Sequence, residues 1–261
     1  MAEKIIAKKL NKTDFIELLT RKKSFILNDL FKIMPIIKFH NIGLKDYKEV
    51  WDFQEELFSQ VSEQKNHKQQ ESFNHLIFCQ HPHVYTLGRN GSENNLLINH
   101  IQLQAKNATF YKINRGGDIT YHGPGQLVGY PIFNLAQFNI GLKDYIYSLE
   151  EAIILSLSEY GLKGERMKGA TGVWIDTAIP AKARKICAIG VRSSHWVTMH
   201  GFALNVNTDL TYFLHINPCG FTNRAVTSLD KELGGKQDFN TVSKNVLEKL
   251  KQVFNFEIIP A

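Results

Sequence analysis

The stretch RGGDITYHGPGQ, residues 115–126, stands between two segments of strand character, residues 108–113 (ATFYKI) and 127–134 (LVGYPIFN). Its glycines have no Cβ atom, so backbone N–H groups there can approach a ligand closely. The stretch lacks both the lysine that ends a Walker loop and the glycine spacing of a dinucleotide fingerprint. It therefore indicates a ligand-binding loop between strands, with a tight hairpin that binds nothing as the alternative.

Helix and strand patterns are mixed along the rest of the chain. Apolar residues recur at helical spacing over residues 44–61, 142–160 and 242–254, and a short helix is predicted over 210–214. Strand patterns cover residues 76–79, 84–87, 172–175, 185–191 and 196–206, and residues 62–70 are predicted to be a loop. Because helices and strands do not alternate regularly, the pattern predicts an α+β fold rather than a doubly wound parallel sheet.

The composition is that of a soluble globular enzyme, with 43% hydrophobic and 21% charged residues. No apolar run approaches the roughly 20 residues that a membrane span needs, so no membrane association is expected. The three cysteines, Cys79, Cys187 and Cys219, match neither a disulfide framework nor a zinc site. We therefore expect free thiols in a reducing compartment, the cytoplasm, and no metal.

The net charge of +6 is concentrated at the N-terminus. Residues 1–33 hold eight basic and four acidic side chains, a net +4, which leaves +2 for the remaining residues. The body therefore has no basic stripe suited to nucleic acid, and the acidic side chains do not fit a transit peptide. We predict an N-terminal extension, residues 1–34, and a catalytic domain, residues 35–261; the start of translation is either Met1 or Met34.

Seven blocks of the chain, in order, resemble the lipoyl(octanoyl) transferase family. They are residues 81–89 (HPHVYTLGR), 115–126 with the following Tyr130-Pro131, 171–174 (TGVW), 185–190 (KICAIG), 200–205 (HGFALN), 216–220 (INPCG) and 226–229 (VTSL). The resemblance extends over about residues 38–230. It implies the catalytic fold of the biotin and lipoate protein ligases, a mixed β-sheet flanked by helices.

Cys219 is the candidate nucleophile because it lies between Pro218 and Gly220 on a predicted turn, where a substrate can reach the thiol. An inert, buried cysteine is the alternative, and that is the role we expect for Cys79 and Cys187, which lie in apolar strand patterns. A thiol with a pKa of about 8.5 is mostly protonated at neutral pH, so a nucleophilic cysteine needs a base or a positive charge nearby.

Lys185 is the candidate for that charge, since it stands in an otherwise apolar strand pattern. A lysine that merely faces solvent at the start of a strand is the alternative. The family resemblance implies that Lys185 and Cys219 form a catalytic pair.

The resemblance also implies the residues that bind the acyl substrate. They are Arg115, Gly116, Gly117, Asp118, Ile119, Thr120, Tyr121, His122, Ala188, Ile189, Gly190, Gly201, Phe202 and Ala203. For His122, a purely structural hydrogen-bonding role is the alternative.

The implied reaction moves an octanoyl or lipoyl group from acyl-carrier protein to a lysine of a lipoyl domain, through a thioester on Cys219. It is the first step of protein lipoylation from endogenous octanoate and needs no cofactor. The implied partners are octanoyl-acyl-carrier protein, the lipoyl domains of 2-oxoacid dehydrogenase complexes and the glycine cleavage H protein, with the enzyme as a monomer. An ATP-dependent lipoate or biotin ligase, and a catalytically silent binding module, are the competing hypotheses.

Overall fold

A mixed nine-stranded β-sheet runs through the computed structural model, which describes residues 34–66, 73–217 and 225–261. The strands are β1 (Ile36–Leu44), β2 (Asn74–Gln80), β3 (Val84–Leu87), β4 (Thr109–Lys112), β5 (Ile119–His122), β6 (Gln126–Ile132), β7 (Glu165–Met167), β8 (Ala170–Ile175), β9 (Arg184–Ser194), β10 (Val197–Asn205), β11 (Ala225–Val226) and β12 (Glu257–Pro260). The helices are α1 (Tyr47–Asn66), α2 (His100–Ala105), α3 (Leu135–Phe138), α4 (Leu142–Ser158), α5 (Leu229–Leu233) and α6 (Phe239–Phe254), with 3₁₀ helices at Glu93–Asn95 and Leu210–His215.

The large sheet has the order β12-β1-β2-β6-β10-β9-β8-β7, and β11 pairs beside β9. Strand β1 is parallel to both of its neighbours, and β11 is parallel to β9, whereas the pairs from β2 to β7 are antiparallel. A second sheet contains three strands in the order β4-β3-β5. The predicted α+β fold, with a mixed sheet flanked by helices, is confirmed.

Helices α4 and α6 cover one face of the large sheet. They contribute Leu149 and Ile153 from α4, and Val246 and Leu250 from α6, to the largest apolar cluster. Helix α6 begins after Asp238, whose carboxylate accepts a hydrogen bond 3.1 Å long from the backbone N–H of Thr241. Each fully buried Leu or Ile side chain contributes about 1.5–3 kcal/mol, so this layer is a major source of stability.

The opposite face is covered by α1 and by the small sheet. Val50 and Leu57 of α1 pack on Val128 and Ala203 of the large sheet. The small sheet has its own apolar cluster, which includes Tyr85, Leu87, Ile119 and Tyr121. Because α1 and the small sheet share this face, a gap remains between the small sheet and strands β9 and β10.

Two predicted loops are wrong in part. Helix α1 continues to Asn66, five residues into the predicted loop 62–70, because polar residues such as Glu63, Gln64 and Lys65 extend a helix without adding to its apolar stripe. Within the glycine-rich stretch, Ile119–His122 forms β5 and pairs with β3. Strands β7, β11 and β12 and helices α2, α3 and α5 were not expected from the sequence at all.

Residues 35–261 form one compact unit. The predicted extension lies outside the described residues except for Met34, so the division at residue 34 stays a prediction. Among the helices of the three described ranges, none combines the length and the apolar character that crossing a membrane requires.

Candidate active site

A β-bulge in β9 decides where Lys185 points. In the pairing with β8, Val173 is opposite Cys187, but the next residue, Trp174, is opposite Lys185. Ile186 is therefore an extra residue that has no counterpart on β8. Bulges of this kind shift the alternation of side chains and are common next to active sites.

The bulge places Lys185 on the same face of the sheet as Ala188 and Gly190. Its ammonium group donates a hydrogen bond 3.1 Å long to the carbonyl oxygen of Thr171 and lies 4.7 Å from the ring centroid of Trp174. Lys185 is partly exposed. The side chain lies at the wall of a cavity.

This cavity has a volume of about 260 Å³ and lies between the small sheet and strands β8, β9 and β10. It is called the larger cavity below, because a smaller one adjoins it. Apolar side chains make up much of its wall, including Ile119, Ala188, Ile189, Ala203 and Val226. Lys185 and Thr171 contribute polar groups, and so do Asp118, Gln126 and Asn205. The cavity is therefore suited to an apolar chain whose reactive end is polar.

A smaller cavity of about 50 Å³ adjoins the first one. Both cavities are lined by Arg115, Thr120, Ala188, Ile189 and Ala203. Lys185 lines only the larger cavity, whereas His122 and His200 line only the smaller one. The two spaces thus follow one another along strands β9 and β10.

Twelve of the fourteen predicted substrate-binding residues line one or both cavities. The other two, Gly116 and Tyr121, line neither cavity. The N–H of Gly116 donates to the carbonyl of Val191, at 2.9 Å, which joins the glycine-rich stretch to β9. The hydroxyl of Tyr121 is 2.7 Å from Nδ1 of His83, on the side of β5 that faces the core of the small sheet.

Small residues form the floor between the cavities. Ala188 is opposite Ala203 and Gly190 is opposite Gly201 in the pairing of β9 with β10. A Cβ atom at Gly190 would lie only 2.9 Å from the carbonyl oxygen of Gly116. Glycine at this position therefore allows the glycine-rich stretch to approach the sheet closely.

Arg115 brings a buried guanidinium group to the junction of the two cavities. Only 8% of the residue is exposed. Its Nη2 donates to the carbonyl oxygen of Thr86, at 2.8 Å, and to the Thr86 hydroxyl, at 3.1 Å. These bonds fix the charge in place, where it can interact with a polar part of a substrate.

His122 is held by a chain of hydrogen bonds. The side-chain nitrogen of Gln126 donates to Asn205 Oδ1, at 2.9 Å, and Asn205 in turn donates to the carbonyl of Thr227, also at 2.9 Å. Gln126 therefore offers its oxygen to His122, which donates from Nδ1 at 2.8 Å. Burial, followed by the nearby His81, lowers the pKa of His122 to about 3, so its ring is neutral and Nε2 is an acceptor.

Cys219 lies outside the described residues, but the chain on either side of it is tied to the larger cavity. The N–H of Asn217 donates to the carbonyl of Asn95, at 2.8 Å, and the Asn95 side chain donates to the Asp118 carboxylate, at 2.7 Å. On the other side, Val226 of β11 pairs with Lys185. Residues two before and seven after Cys219 are therefore anchored close to the cavity walls.

The other two cysteines are buried, as predicted. Cys79 is 2% exposed and Cys187 is fully buried. Burial raises the pKa of both thiols, so both stay protonated and unreactive at neutral pH. Within the described part of the chain, no group of three or more His, Cys, Asp or Glu side chains is arranged to hold a metal ion.

Several residues at the cavities were not predicted. Gln126, Trp174, His200 and Asn205 fall inside the family-like blocks, so their positions carried a signal. Tyr47 lies outside these blocks and carried no signal, because its place in α1 has the helical spacing of an ordinary core residue. Its ring stacks on His122 at an interplanar angle of 12°, a contact that only the folded chain reveals.

Known proteins resemble this chain in sequence and in fold. The family model "Lipoyl protein ligase A/B catalytic domain" matches residues 46–251. An octanoyltransferase of Christiangramia forsetii is 55% identical over 228 residues, which cover 85% of this chain and 97% of that protein. An octanoyltransferase of Flavobacterium psychrophilum is 52% identical over 229 residues, covering 85% and 98%.

Among solved structures, an archaeal lipoylation system of Thermoplasma acidophilum, a bipartite lipoate protein ligase with its E2 lipoyl domain, matches with a TM-score of 0.63 and 12% identity. The match covers 87% of this chain and 86% of that one, and at this identity it shows the fold alone. The sequence matches show more than the fold, because their identity exceeds 50% over most of both chains. This chain belongs to the lipoyl protein ligase A/B catalytic-domain family and, within it, to the octanoyltransferases.

Proposed function

We propose that this enzyme transfers an octanoyl or lipoyl group from acyl-carrier protein to a lysine of a lipoyl domain, with Cys219 as the acyl carrier and Lys185 as its partner. The observation that carries the proposal is the pairing of β11 with β9. It holds Val226, which follows Cys219 by seven residues in the sequence, beside Lys185, and both Val226 and Lys185 line the larger cavity.

In the first half-reaction, the Cys219 thiolate attacks the carbonyl carbon of the donor thioester. A bond forms between the Cys219 sulfur and the acyl carbon, and the bond to the phosphopantetheine sulfur breaks. The pantetheine thiolate leaves and takes up a proton from the Lys185 ammonium, which becomes a free amine. A cation beside Cys219 favours the thiolate that starts this step, and Lys185 is the cation that we assign to it.

In the second half-reaction, the ε-amine of the acceptor lysine attacks the enzyme thioester. Lys185, as the free amine, takes a proton from the attacking nitrogen. The bond to the Cys219 sulfur then breaks, which regenerates the thiolate and leaves an amide on the acceptor. A thioester is converted to a more stable amide, so the reaction needs neither ATP nor a metal.

The apolar part of the acyl group fits the larger cavity. Ile119 and Ile189 from opposite walls would contact the chain, and Ala188 and Ala203 leave room for it. Burial of about seven carbons at roughly 0.8 kcal/mol each is worth on the order of 5 kcal/mol. Binding of the acyl chain would therefore contribute substantially to recognition of the donor.

The partners proposed for this chain follow from that reaction. The donor is octanoyl-acyl-carrier protein, and the acceptors are the lipoyl domains of 2-oxoacid dehydrogenase complexes and the glycine cleavage H protein. We propose that the enzyme acts as a monomer in the cytoplasm, without a cofactor.

Intact-mass analysis tests the proposal directly. The enzyme is incubated with octanoyl-acyl-carrier protein alone, without ATP or acceptor. We expect a mass gain of one octanoyl group, absent in Cys219→Ser and retained in Cys79→Ala, which removes a thiol far from Lys185. An adduct on the wild type that requires ATP would instead support the ligase hypothesis. No adduct under either condition would support a binding module and overturn the transferase mechanism.

A further inference from the structure

The smaller cavity is lined by polar groups that the transfer chemistry does not use. Tyr47, His122, Tyr130 and His200 all contribute to its wall. Its volume of about 50 Å³ exceeds the roughly 10–15 Å³ that a single buried water molecule requires. An octanoyl tail has no polar atom at its end, so these groups need another explanation.

His200 is a buried residue of the wall of this cavity and carries an acceptor. The residue is only 1% exposed, and its Nε2 is 3.0 Å from Asn114 Oδ1, an oxygen that can only accept. Nε2 therefore carries the proton, and Nδ1 is left as a lone-pair acceptor that has no hydrogen-bond partner among the described residues. Burial, followed by the charges of Arg115 and Arg192, lowers the pKa of His200 to about 3, so Nδ1 stays unprotonated.

A second acceptor, on His122, and the hydroxyl groups of Tyr47 and Tyr130 complete the polar groups of the smaller cavity. Nε2 of His122 is an acceptor because Nδ1 donates to Gln126. Tyr130 donates its proton to Nε2 of His81, at 2.8 Å, since Nδ1 of His81 already donates to the carbonyl of Lys45. The Tyr130 oxygen can therefore accept, whereas the Tyr47 hydroxyl can donate.

A water molecule supplies what this set demands, because it donates two hydrogen bonds and accepts two. We infer that the smaller cavity is a hydrated chamber that limits the length of the acyl chain: water bound to Tyr47, His122 and His200 stops the chain at the chamber's edge. This inference rests on the proposed function, because it concerns the acyl group that the larger cavity would hold.

The dimensions of the site agree with an eight-carbon limit. Lys185 and Gly190 are four regular strand steps apart once the bulge is allowed for, which is about 13 Å at about 3.3 Å per residue. An extended eight-carbon chain spans about 9 Å with C–C bonds of about 1.5 Å. A chain that starts near Lys185 would therefore end between Ala188 and Gly190, where the smaller cavity begins.

A longer chain would have to enter the chamber and displace its water. Hydrocarbon cannot replace the hydrogen bonds lost by His122 and His200, so each displaced water makes the longer acyl group less favourable. The limit is thus chemical rather than steric. It should relax when the chamber is made apolar, even where its size changes little.

The test compares acylation of Cys219 by octanoyl-, decanoyl- and dodecanoyl-acyl-carrier protein, followed by intact mass over time. We expect the ratio of dodecanoyl to octanoyl rates to rise about threefold in Tyr47→Phe and about tenfold in His200→Leu, as apolar groups replace sites that hold water. Tyr111→Phe is the matched control, because Tyr111 stacks on Tyr47 but does not line the smaller cavity. It should keep the wild-type ratio.

The outcomes separate this inference from the proposed function. If no donor of any length acylates the wild type, the proposed function fails. If adducts form but the ratio in Tyr47→Phe stays within twofold of the wild-type ratio, the hydrated chamber is not what limits the chain. Because Tyr47→Phe removes one hydroxyl and keeps the ring, it remains informative even if His200→Leu does not fold.

Discussion

At the scale of single residues, the proposed function depends on a lysine whose position is set by its neighbours. The Lys185 ammonium is held by the carbonyl of Thr171 and the ring of Trp174. An ammonium held in this way places a positive charge at the wall of the larger cavity in the resting enzyme. Its effect should be visible on any thiol that comes near it.

We predict that Lys185→Ala slows alkylation of Cys219 by iodoacetamide at pH 7 by about tenfold, the effect of raising a thiol pKa by about one unit. The alkylation rate should be measured from pH 6 to pH 10, so that a shift in the midpoint is seen directly. Lys182→Ala is the matched control, since Lys182 is exposed in the same segment. Equal midpoints for the wild type and Lys185→Ala would show that Lys185 does not tune the thiol.

Sequence patterns could predict some roles at this scale but not others. Both buried cysteines were predicted, because each lies in an apolar run. The hydrogen-bonded state of His122 could not be predicted, since it depends on Gln126, Asn205 and Thr227, which come from β6, from β10 and from the link between β11 and α5. Tyr47 gave no signal, because a residue that lines a cavity has the same spacing in a helix as one that packs in a core.

At the scale of elements, the bulge in β9 depends on the strand beside it. Gly172 of β8 has a φ of +118°, a conformation that residues with a side chain rarely adopt. A Cβ atom there would also lie 2.5 Å from the carbonyl oxygen of Cys187, directly after the bulged residue. The N–H of Gly172 is further held by the buried carboxylate of Glu150 in α4, at 2.9 Å.

Gly172→Ala should therefore lower the free energy of unfolding by about 2–4 kcal/mol and reduce the rate of Cys219 acylation, since β8 positions Lys185. Urea unfolding and the intact-mass assay measure the two effects. Gly235→Ala is the matched control, because a Cβ atom at Gly235 meets nothing within 4 Å. If Gly172→Ala is as stable as Gly235→Ala, then β8 does not constrain the bulge.

Local periodicity could predict the long elements, and contacts distant in sequence explain the rest. Helices α4 and α6 were predicted within a few residues, because each has a long apolar stripe. Strand β12 was not, since it pairs with β1 at the other end of the chain and has only four residues. Strand β5 was hidden by the glycines around it, and the bulge at Ile186 is visible only in the register with β8.

At the scale of the whole molecule, the site is where the two sheets face one another. Strands β9 and β10 supply a floor of small residues, and β5 with the glycine-rich stretch supplies the roof. This meeting of the sheets leaves buried histidines in the space between them and α1. Their burial has a consequence for the stability of the whole protein.

Three histidines in this region are almost fully buried: His81, His122 and His200. Burial is the main cause that lowers the pKa of His81 to about 4 and the pKa values of His122 and His200 to about 3. In the unfolded chain, histidine has a pKa of about 6.5. Between those values the unfolded state binds protons that the native state does not, so stability must fall as the pH falls.

We therefore predict that the free energy of unfolding decreases from pH 7 to pH 5 by about 2 kcal/mol for each of these histidines. Carboxylates stabilised by ion pairs, such as Glu232 beside Arg184, lose their contribution only below about pH 4.3, so this pH window isolates the histidines. Urea unfolding at pH 7, 6 and 5 gives the slope. His122→Gln should reduce the total decrease by about 2 kcal/mol, because one buried imidazole is gone while His81, His200 and the likewise buried His75 remain, whereas His100→Gln, at an exposed position, should leave it unchanged. A flat profile for the wild type would mean that these imidazoles take up protons without unfolding the chain, and the space between the sheets would then be more open to solvent than its burial indicates.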